Sequence, residues 1–384
     1  MSSAWRLGLF YALMFLVSGA SLPYMPVWLR AQGLDGATIG AIIAAPYLAR
    51  VVTGQIAAHW ADGFRQRRTS LLLLSLIATA SYASLLVIDS AWGHAAAWFV
   101  GSTASMAILP LTDVLTLRLS RREGFAYGRA RAAGSAAFIV ANLAVGFLLA
   151  GGAADQVVVW MSLATLALAL GVRLLLPAEP IHDPADAPPD RRAGLGDLLR
   201  NRLFMLAIVS AGLIQAAHAF QYAFSALAWK QQGLSEAVTG QLWATGVAAE
   251  IVFLWFLEPL RQRLGPVRLV LLGGAASVLR WTWSAFSPPE AVLFGLQVLH
   301  AFTFAAAFLG TLQLVQKLAP PESASAAQSL SASLSSGLLM GLATLASGPL
   351  FDAYGARGYL AMAVMAGVGL AGAFRLQRRL GPDS

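Results

Sequence analysis

The chain has no cysteine among its 384 residues, so it holds no disulfide, no thiolate nucleophile and no cysteine-ligated metal. Charge is nearly as scarce. Asp, Glu, Lys and Arg make up 11% of the residues, against roughly 25% in soluble domains, and 58% are hydrophobic. A water-facing surface needs far more charge, which excludes a soluble globular fold. Alternating strands of about ten residues are missing as well, and with them a membrane β-barrel. The phosphate-binding string GxxxxGK followed by Ser or Thr does not occur, which argues against an ATP-driven pump. Neither HExxH nor GxSxG is present. Gly367-Val-Gly369-Leu-Ala-Gly372 spells GxGxxG, but it lies inside an apolar run and follows no strand, so the dinucleotide reading fails.

What the chain does have is apolar runs of about twenty residues from one end to the other, each long enough to cross a ~30 Å hydrocarbon core. They predict spans at 6–28, 37–60, 70–88, 94–118, 132–151 and 156–176, then at 203–227, 238–257, 268–287, 291–316, 325–349 and 358–376. The first run, Leu7 to Leu29, is too long for a signal-peptide core and continues through Pro23 and Pro26 without a cleavage site, so it reads as a span. Between the halves, Pro177 to Arg202 carries five prolines and reads as a solvated linker. The expectation is an all-α membrane protein of twelve transmembrane helices in two six-helix halves, 1–176 and 203–384, joined by 177–202. Of 26 basic residues, 21 fall on one side of these spans, three (Arg30, Lys230, Arg357) on the other, and Arg50 and Arg280 lie inside spans. The richer side is expected to be cytoplasmic, with both termini there. The basic loops read as topology signals, so no nucleic-acid partner is expected.

The halves are related. Residues 32–50 (QGLDGATIGAIIAAPYLAR) and 232–250 (QGLSEAVTGQLWATGVAAE) align without a gap, identical at seven of nineteen positions. A basic turn follows the second span of each half, RQRR at 65–68 and RQRL at 261–264. Parallel six-span repeats with a long linker are the plan of transporters that bind substrate near the bilayer midplane.

The loop Ala58-His-Trp-Ala-Asp62-Gly-Phe-Arg65-Gln-Arg67-Arg68 resembles the motif between spans two and three of the major facilitator superfamily. Asp62, Arg67 and Arg68 match; Ala58 and Arg65 stand where the motif has glycines. Further strings resemble the phenylpropionate permease group, close to the oligosaccharide:proton and nucleoside:proton symporters: LPYMPVWL (22–29), YGRARAAGSAAFI (127–139), LRW (279–281), LHAFTF (299–304) and AQSL (327–330). The resemblance implies a permease of a bacterial inner membrane, working as a monomer without cofactor or metal. It also implies a cytoplasmic gate at Asp62, Arg67, Arg68, Asp113 and Arg118, in which Asp62 pairs with Arg118.

An ionisable side chain at the bilayer centre costs roughly 2.5–3.5 kcal/mol, so each one is a functional candidate. Glu250, Arg280 and His300 fall near the midplane on three consecutive spans. They resemble the proton-coupling cluster of lactose permease-like symporters, except that Thr303 stands where those proteins carry a second glutamate. Burial disfavours a charged carboxylate and a neighbouring guanidinium favours it, so proton occupancy becomes tied to conformation. The bland reading is a Glu250–Arg280 ion pair that only fixes packing. Arg50 takes the place in the first half that Glu250 takes in the second. A guanidinium without an acid at its own depth suits a substrate carboxylate; the alternative is that it bends toward Asp113 or backbone carbonyls. Gln215, His218 and Tyr222 share one helical face with aromatic flanks, which suggests cavity lining, and Gln297 is added to them as a substrate-binding candidate. For His218, a packing role is the alternative. The function expected is proton-coupled symport of a small organic solute, an aromatic carboxylate such as 3-phenylpropionate. Sugar or nucleoside symport, and a non-transporting sensor of the same fold, are the alternatives.

Overall fold

The structure is a computed structural model that describes residues 2–181 and 195–381. Most of the expected linker, 182–194, lies outside the described residues. The first helices are α1 (Ser3–Ala31), α2 (Gly36–Asp62), α3 (Arg67–Ser84), α4 (Ala91–Glu123), α5 (Tyr127–Ala150) and α6 (Gln156–Leu175). A short α7 (Leu195–Arg200) follows, then α8 (Arg202–Ala216), α9 (Ala219–Gln231), α10 (Glu236–Phe256), α11 (Glu258–Ser284) and α12 (Glu290–Val298). The chain ends with α13 (Ala307–Leu318), α14 (Ala324–Ala332), α15 (Met340–Tyr354) and α16 (Tyr359–Leu380). No strand occurs among the described residues, as the composition required.

Ten helical stretches among the described residues are long and apolar enough to cross a bilayer. The last, Pro321–Leu380, has 60 residues, about 90 Å at ~1.5 Å per residue, so it crosses twice, turning at the tight Gly355–Gly358 helix. Twelve crossings then also need α3, which starts on Arg67 and Arg68 and is rich in Ser and Thr.

Helix ends follow from local chemistry. Ser90 Oγ accepts from Gly93 N at 3.1 Å to start α4, and Asn201 Oδ1 accepts from Leu203 N and Phe204 N at 3.1 Å to start α8. The repeated Gln-Gly-Leu has one structural meaning in both copies. Gly33 (φ 82) and Gly233 (φ 90) take the left-handed conformation that a Cβ disfavours, and Leu34 and Leu234 N–H groups close back on Leu29 and Trp229 carbonyls. α1 and α9 thus end on the same cap. The second basic turn, 261–264, is helical instead of a loop. It belongs to α11, whose kink comes afterwards at Gly265 (φ 73), just before Pro266.

The chain forms two compact units that cut across the sequence halves. One comprises Met1–Asp35, Val52–Ala187 and Ser235–Ala244; the other comprises Gly36–Val51, Pro188–Leu234 and Thr245–Ser384. In the first, α1 packs on α5 and α6, and α3 on α4 and α6. In the second, α16 packs on α8 and α11, α13 lies along α11, and α15 along α9. Large apolar side chains fill each core, Tyr11, Tyr24 and Trp28 in the first and Phe220, Phe224, Trp281 and Tyr359 in the second, all at most 1% exposed. Many other large apolar residues, Trp5, Leu170, Leu174, Phe256 and Val364 among them, stay exposed, the pattern of an outer surface solvated by lipid.

Two irregularities prepare the site. Helix α8 gives way to α9 at Ala217–His218, and a π-helical turn, Ala301–Ala306, separates α12 from α13. Such a turn leaves carbonyls without their usual partners, and it recurs at functional sites.

Candidate functional site

The second unit gathers Glu250, Arg280, His300, Gln297, Gln215, His218, Tyr222 and Arg50. Arg280 is its centre and only 1% exposed. Its Nη1 donates to His300 Nδ1 at 3.1 Å and to Thr303 Oγ1 at 3.0 Å, and its Nη2 donates to Gln297 Oε1 at 2.6 Å. The guanidinium carbon lies 4.5 Å from the centre of the Trp281 ring, a cation–π contact. Glu250 is not among its partners. The expected direct Glu250–Arg280 pair is absent from this conformation because His300 stands between: its Nε2 faces Glu250 Oε2 at 3.7 Å. That separation exceeds a hydrogen bond. Arg280 is therefore solvated by three neutral acceptors instead of a counter-ion.

His218 is fully buried, and both ring nitrogens are engaged, Nδ1 with Gln215 O at 2.9 Å and Nε2 with Thr303 Oγ1 at 3.0 Å. The ring thereby takes the carbonyl that the next helical turn would use, which is the local reason for the α8–α9 break. Gln215 Nε2 donates to Phe304 O at 3.1 Å, meeting a carbonyl that the π-helical turn exposes. Tyr222 is partly buried, its ring 5.6 Å from that of His218. Gln297 is 2% exposed, and its Nε2 has no hydrogen-bond partner among the described residues. Behind the cluster, Trp281 stacks on Tyr359 at 5.7 Å, and Tyr359 donates to Gln221 Oε1 at 2.7 Å.

Arg50 belongs to the same unit, partly buried one turn after Tyr47 on α2, and makes no hydrogen bond or ion pair with a described residue. Asp113 lies in the other unit and has its own partners. It accepts from Tyr11 Oη at 2.5 Å and from Tyr127 Oη at 3.0 Å, with Arg131 Nε at 3.9 Å. Arg131, one turn into α5, lies over the Tyr11 and Phe15 rings at 5.4 and 4.8 Å. By its number Arg131 falls one residue before the expected fifth span, 132–151, among the 21 basic residues of the richer side. Its signal was position: it follows Tyr127 by four residues, one helical turn inside YGRARAAG.

The expected gate is arranged differently from the motif. Asp62 is exposed at the end of α2 and makes no ion pair with Arg118. The α2–α3 loop is held instead by the segment after α6. Gln66 and Pro180 form an antiparallel bridge, Arg67 N donates to Glu179 O at 3.0 Å, and Arg67 Nη2 donates to Ile181 O at 2.9 Å. Arg122 grips the Glu179 carboxylate through both guanidinium nitrogens at 2.7 and 3.2 Å. Arg68 turns to Gln66 Oε1 at 2.9 Å, and Arg118 lies partly buried on α4.

Residues 4–361 match the profile of the MFS_1 like family. The chain is 27% identical over 320 residues to a probable 3-phenylpropionic acid transporter of Escherichia coli (strain K12), covering 82% of each chain. It is 29% identical over 347 residues to a maltose permease of Geobacillus stearothermophilus, covering 90% of this chain and 86% of the relative. Among solved structures, the nucleoside transporter NupG superposes with a TM-score of 0.80 over the whole of both chains at 17% identity, which speaks for the fold alone.

Proposed function

We propose that this chain, which belongs to the MFS_1 like family and so to the major facilitator transporters, is a proton-coupled symporter of a small organic acid. Membership makes it a multi-pass membrane transporter. The coupling and the substrate are our reading. The observation that carries the coupling is the line Arg280–His300–Glu250, in which an imidazole stands between a titratable carboxylate and a buried guanidinium held only by neutral groups. When Glu250 is ionised it attracts Arg280; when it is protonated that attraction vanishes. Either state of the carboxylate therefore favours a different position of the guanidinium, and a helix that carries it moves with it. In this reading alternating access takes place between the six-helix halves 1–176 and 203–384, and Asp62, Arg67, Arg68, Asp113 and Arg118 act at the gate.

Arg50 supports an anionic substrate. A partly buried guanidinium with no ion pair among the described residues suits a carboxylate, which it takes in a two-pronged grip. The E. coli relative, described as a 3-phenylpropionic acid transporter, points the same way. The match to a maltose permease over 90% of the chain favours a second reading, a sugar substrate. Uptake of labelled 3-phenylpropionate and of maltose into right-side-out vesicles under an inward proton gradient, acidic outside, tests both. Accumulation that collapses with a protonophore supports the coupling. Accumulation driven by sodium alone refutes it, and accumulation of the sugar alone refutes the anion.

A further inference from the structure

Arginine only donates hydrogen bonds and a backbone carbonyl only accepts, and these two facts place the protons on both histidines of the cluster. His300 Nδ1 receives Arg280 Nη1 at 3.1 Å, so the neutral ring carries its proton on Nε2, the nitrogen that faces Glu250. His218 Nδ1 meets Gln215 O at 2.9 Å, so there Nδ1 is the donor. A second buried cation one hydroxyl away from a guanidinium is costly, so His218 is neutral and its Nε2 accepts. Thr303 Oγ1 stands 3.0 Å from that Nε2 and 3.0 Å from Arg280 Nη1. Its single proton goes to His218 and its lone pair takes the arginine. The competing donation, to His300 O at 3.5 Å, is longer and weaker. The result is a one-way chain from Arg280 through Thr303 and His218 to the Gln215 carbonyl at the α8–α9 break.

We propose that Thr303 is a positioning residue: its hydroxyl, oriented by His218, holds Arg280 on His300 Nδ1 and so keeps a second proton off His300 until Arg280 moves. The proposal rests on the coupling role given above to this cluster. While Nη1 donates to Nδ1, the lone pair that would take the proton is occupied. The groups that face His300 are Arg280 from α11, His218 at the α8–α9 break and Glu250 from α10. Tyr222 from α9 and Tyr359 from α16 face Arg280. All of these are charged or titratable. Thr303 is neither, so removing its hydroxyl loosens the tether without changing the number of charges. His218 in this arrangement orients the hydroxyl and does not touch substrate.

Nitrogen-15 spectra of histidine-labelled purified protein test the proposal without knowledge of the substrate. The chain has five histidines, and the His218 and His300 signals are identified by their loss in His218→Asn and His300→Asn. The wild type should show His218 protonated on Nδ1 and His300 on Nε2. Thr303→Ser, which keeps the hydroxyl, should titrate at His300 as the wild type does. Thr303→Val should raise the midpoint of that titration by about 0.5–1 pH unit, the equivalent of one buried hydrogen bond. If the valine variant does not fold, Thr303→Cys, a much poorer acceptor, should shift the midpoint in the same direction. A His218 protonated on Nε2, or a folded valine or cysteine variant with the wild-type midpoint, overturns the role of Thr303. Wild-type uptake that ignores the proton gradient removes the coupling role instead and leaves these proton positions untouched, so the two failures are distinct.

Discussion

Replacing Glu250 by Gln separates a proton carrier from a counter-ion, because only the second role predicts a large loss of stability. If Glu250 neutralised Arg280, the substitution would strand a buried cation at a cost of roughly 3–5 kcal/mol. The geometry says otherwise. Arg280 has its own acceptors in His300 Nδ1, Thr303 Oγ1 and Gln297 Oε1, and Glu250 meets the network through His300, at 3.7 Å. The Glu250 side chain is 20% exposed and faces His300 at more than hydrogen-bond distance, so removing its charge leaves Arg280 with all three of its acceptors and strands no cation. Arg280→Gln, by contrast, deprives three buried acceptors of their donor, at about 1–3 kcal/mol for each one left unmet. Glu250→Gln should therefore melt near the wild type, and Arg280→Gln well below it. Because a glutamine cannot exchange a proton, the Glu250 variant should lose uphill uptake while keeping substrate exchange, which needs no net proton movement. Melting curves, exchange from preloaded vesicles and gradient-driven uptake on the two variants and their combination give the answer. Normal uphill uptake by well-folded Glu250→Gln refutes the assignment. Early melting of that variant, rescued by adding Arg280→Gln, restores the counter-ion role.

Other outcomes follow from single interactions. Arg50→Lys keeps the charge and loses the two-pronged fork, so KM for 3-phenylpropionate should rise about tenfold or more at an unchanged melting temperature; an unchanged KM removes Arg50 from the substrate site. Asp352 accepts from the Gly36 and Ala37 amides at 2.8 Å each and caps α2, so Asp352→Ala should destabilise by about 1–2 kcal/mol, read as a lower melting temperature. Tyr11→Phe deletes the 2.5 Å donor to Asp113, a charge-assisted bond worth about 1.5–3 kcal/mol, and the same melting assay should show the loss. An unshifted curve would mean that Tyr127 and Arg131 suffice for that carboxylate.

The class of fold was legible in the sequence because it depends on totals. Too little charge and a run of apolar segments leave lipid as the only solvent, and any order of neighbours gives that answer. Local ends were legible for a similar reason: Gln-Gly-Leu closes α1 and α9 alike, through backbone bonds that span a few residues. The membership of the cluster also came through, since a lone ionisable side chain inside an apolar span is conspicuous wherever it sits. Its wiring did not. Spacing along α11 and α10 brings Arg280 and Glu250 to similar depth, but rotation about the helix axes decides which atoms meet, and that rotation is set by packing. So His300 came between them, and Thr303, which carried no charge to draw notice, became the junction. Hydropathy averages over a window and cannot separate Arg131 from the loop cations beside it, whereas its contact with the Tyr11 and Phe15 rings is a matter of one helical turn. The loop motif likewise named Arg67 and Arg68 but not what holds them. Glu179 and Ile181 lie more than a hundred residues away in sequence, and only folding brings their carbonyls to Arg67. Solvent preference is additive over residues and survives in a one-dimensional reading. Hydrogen bonding depends on ångström distances between segments far apart in the chain, and those exist only once it has folded.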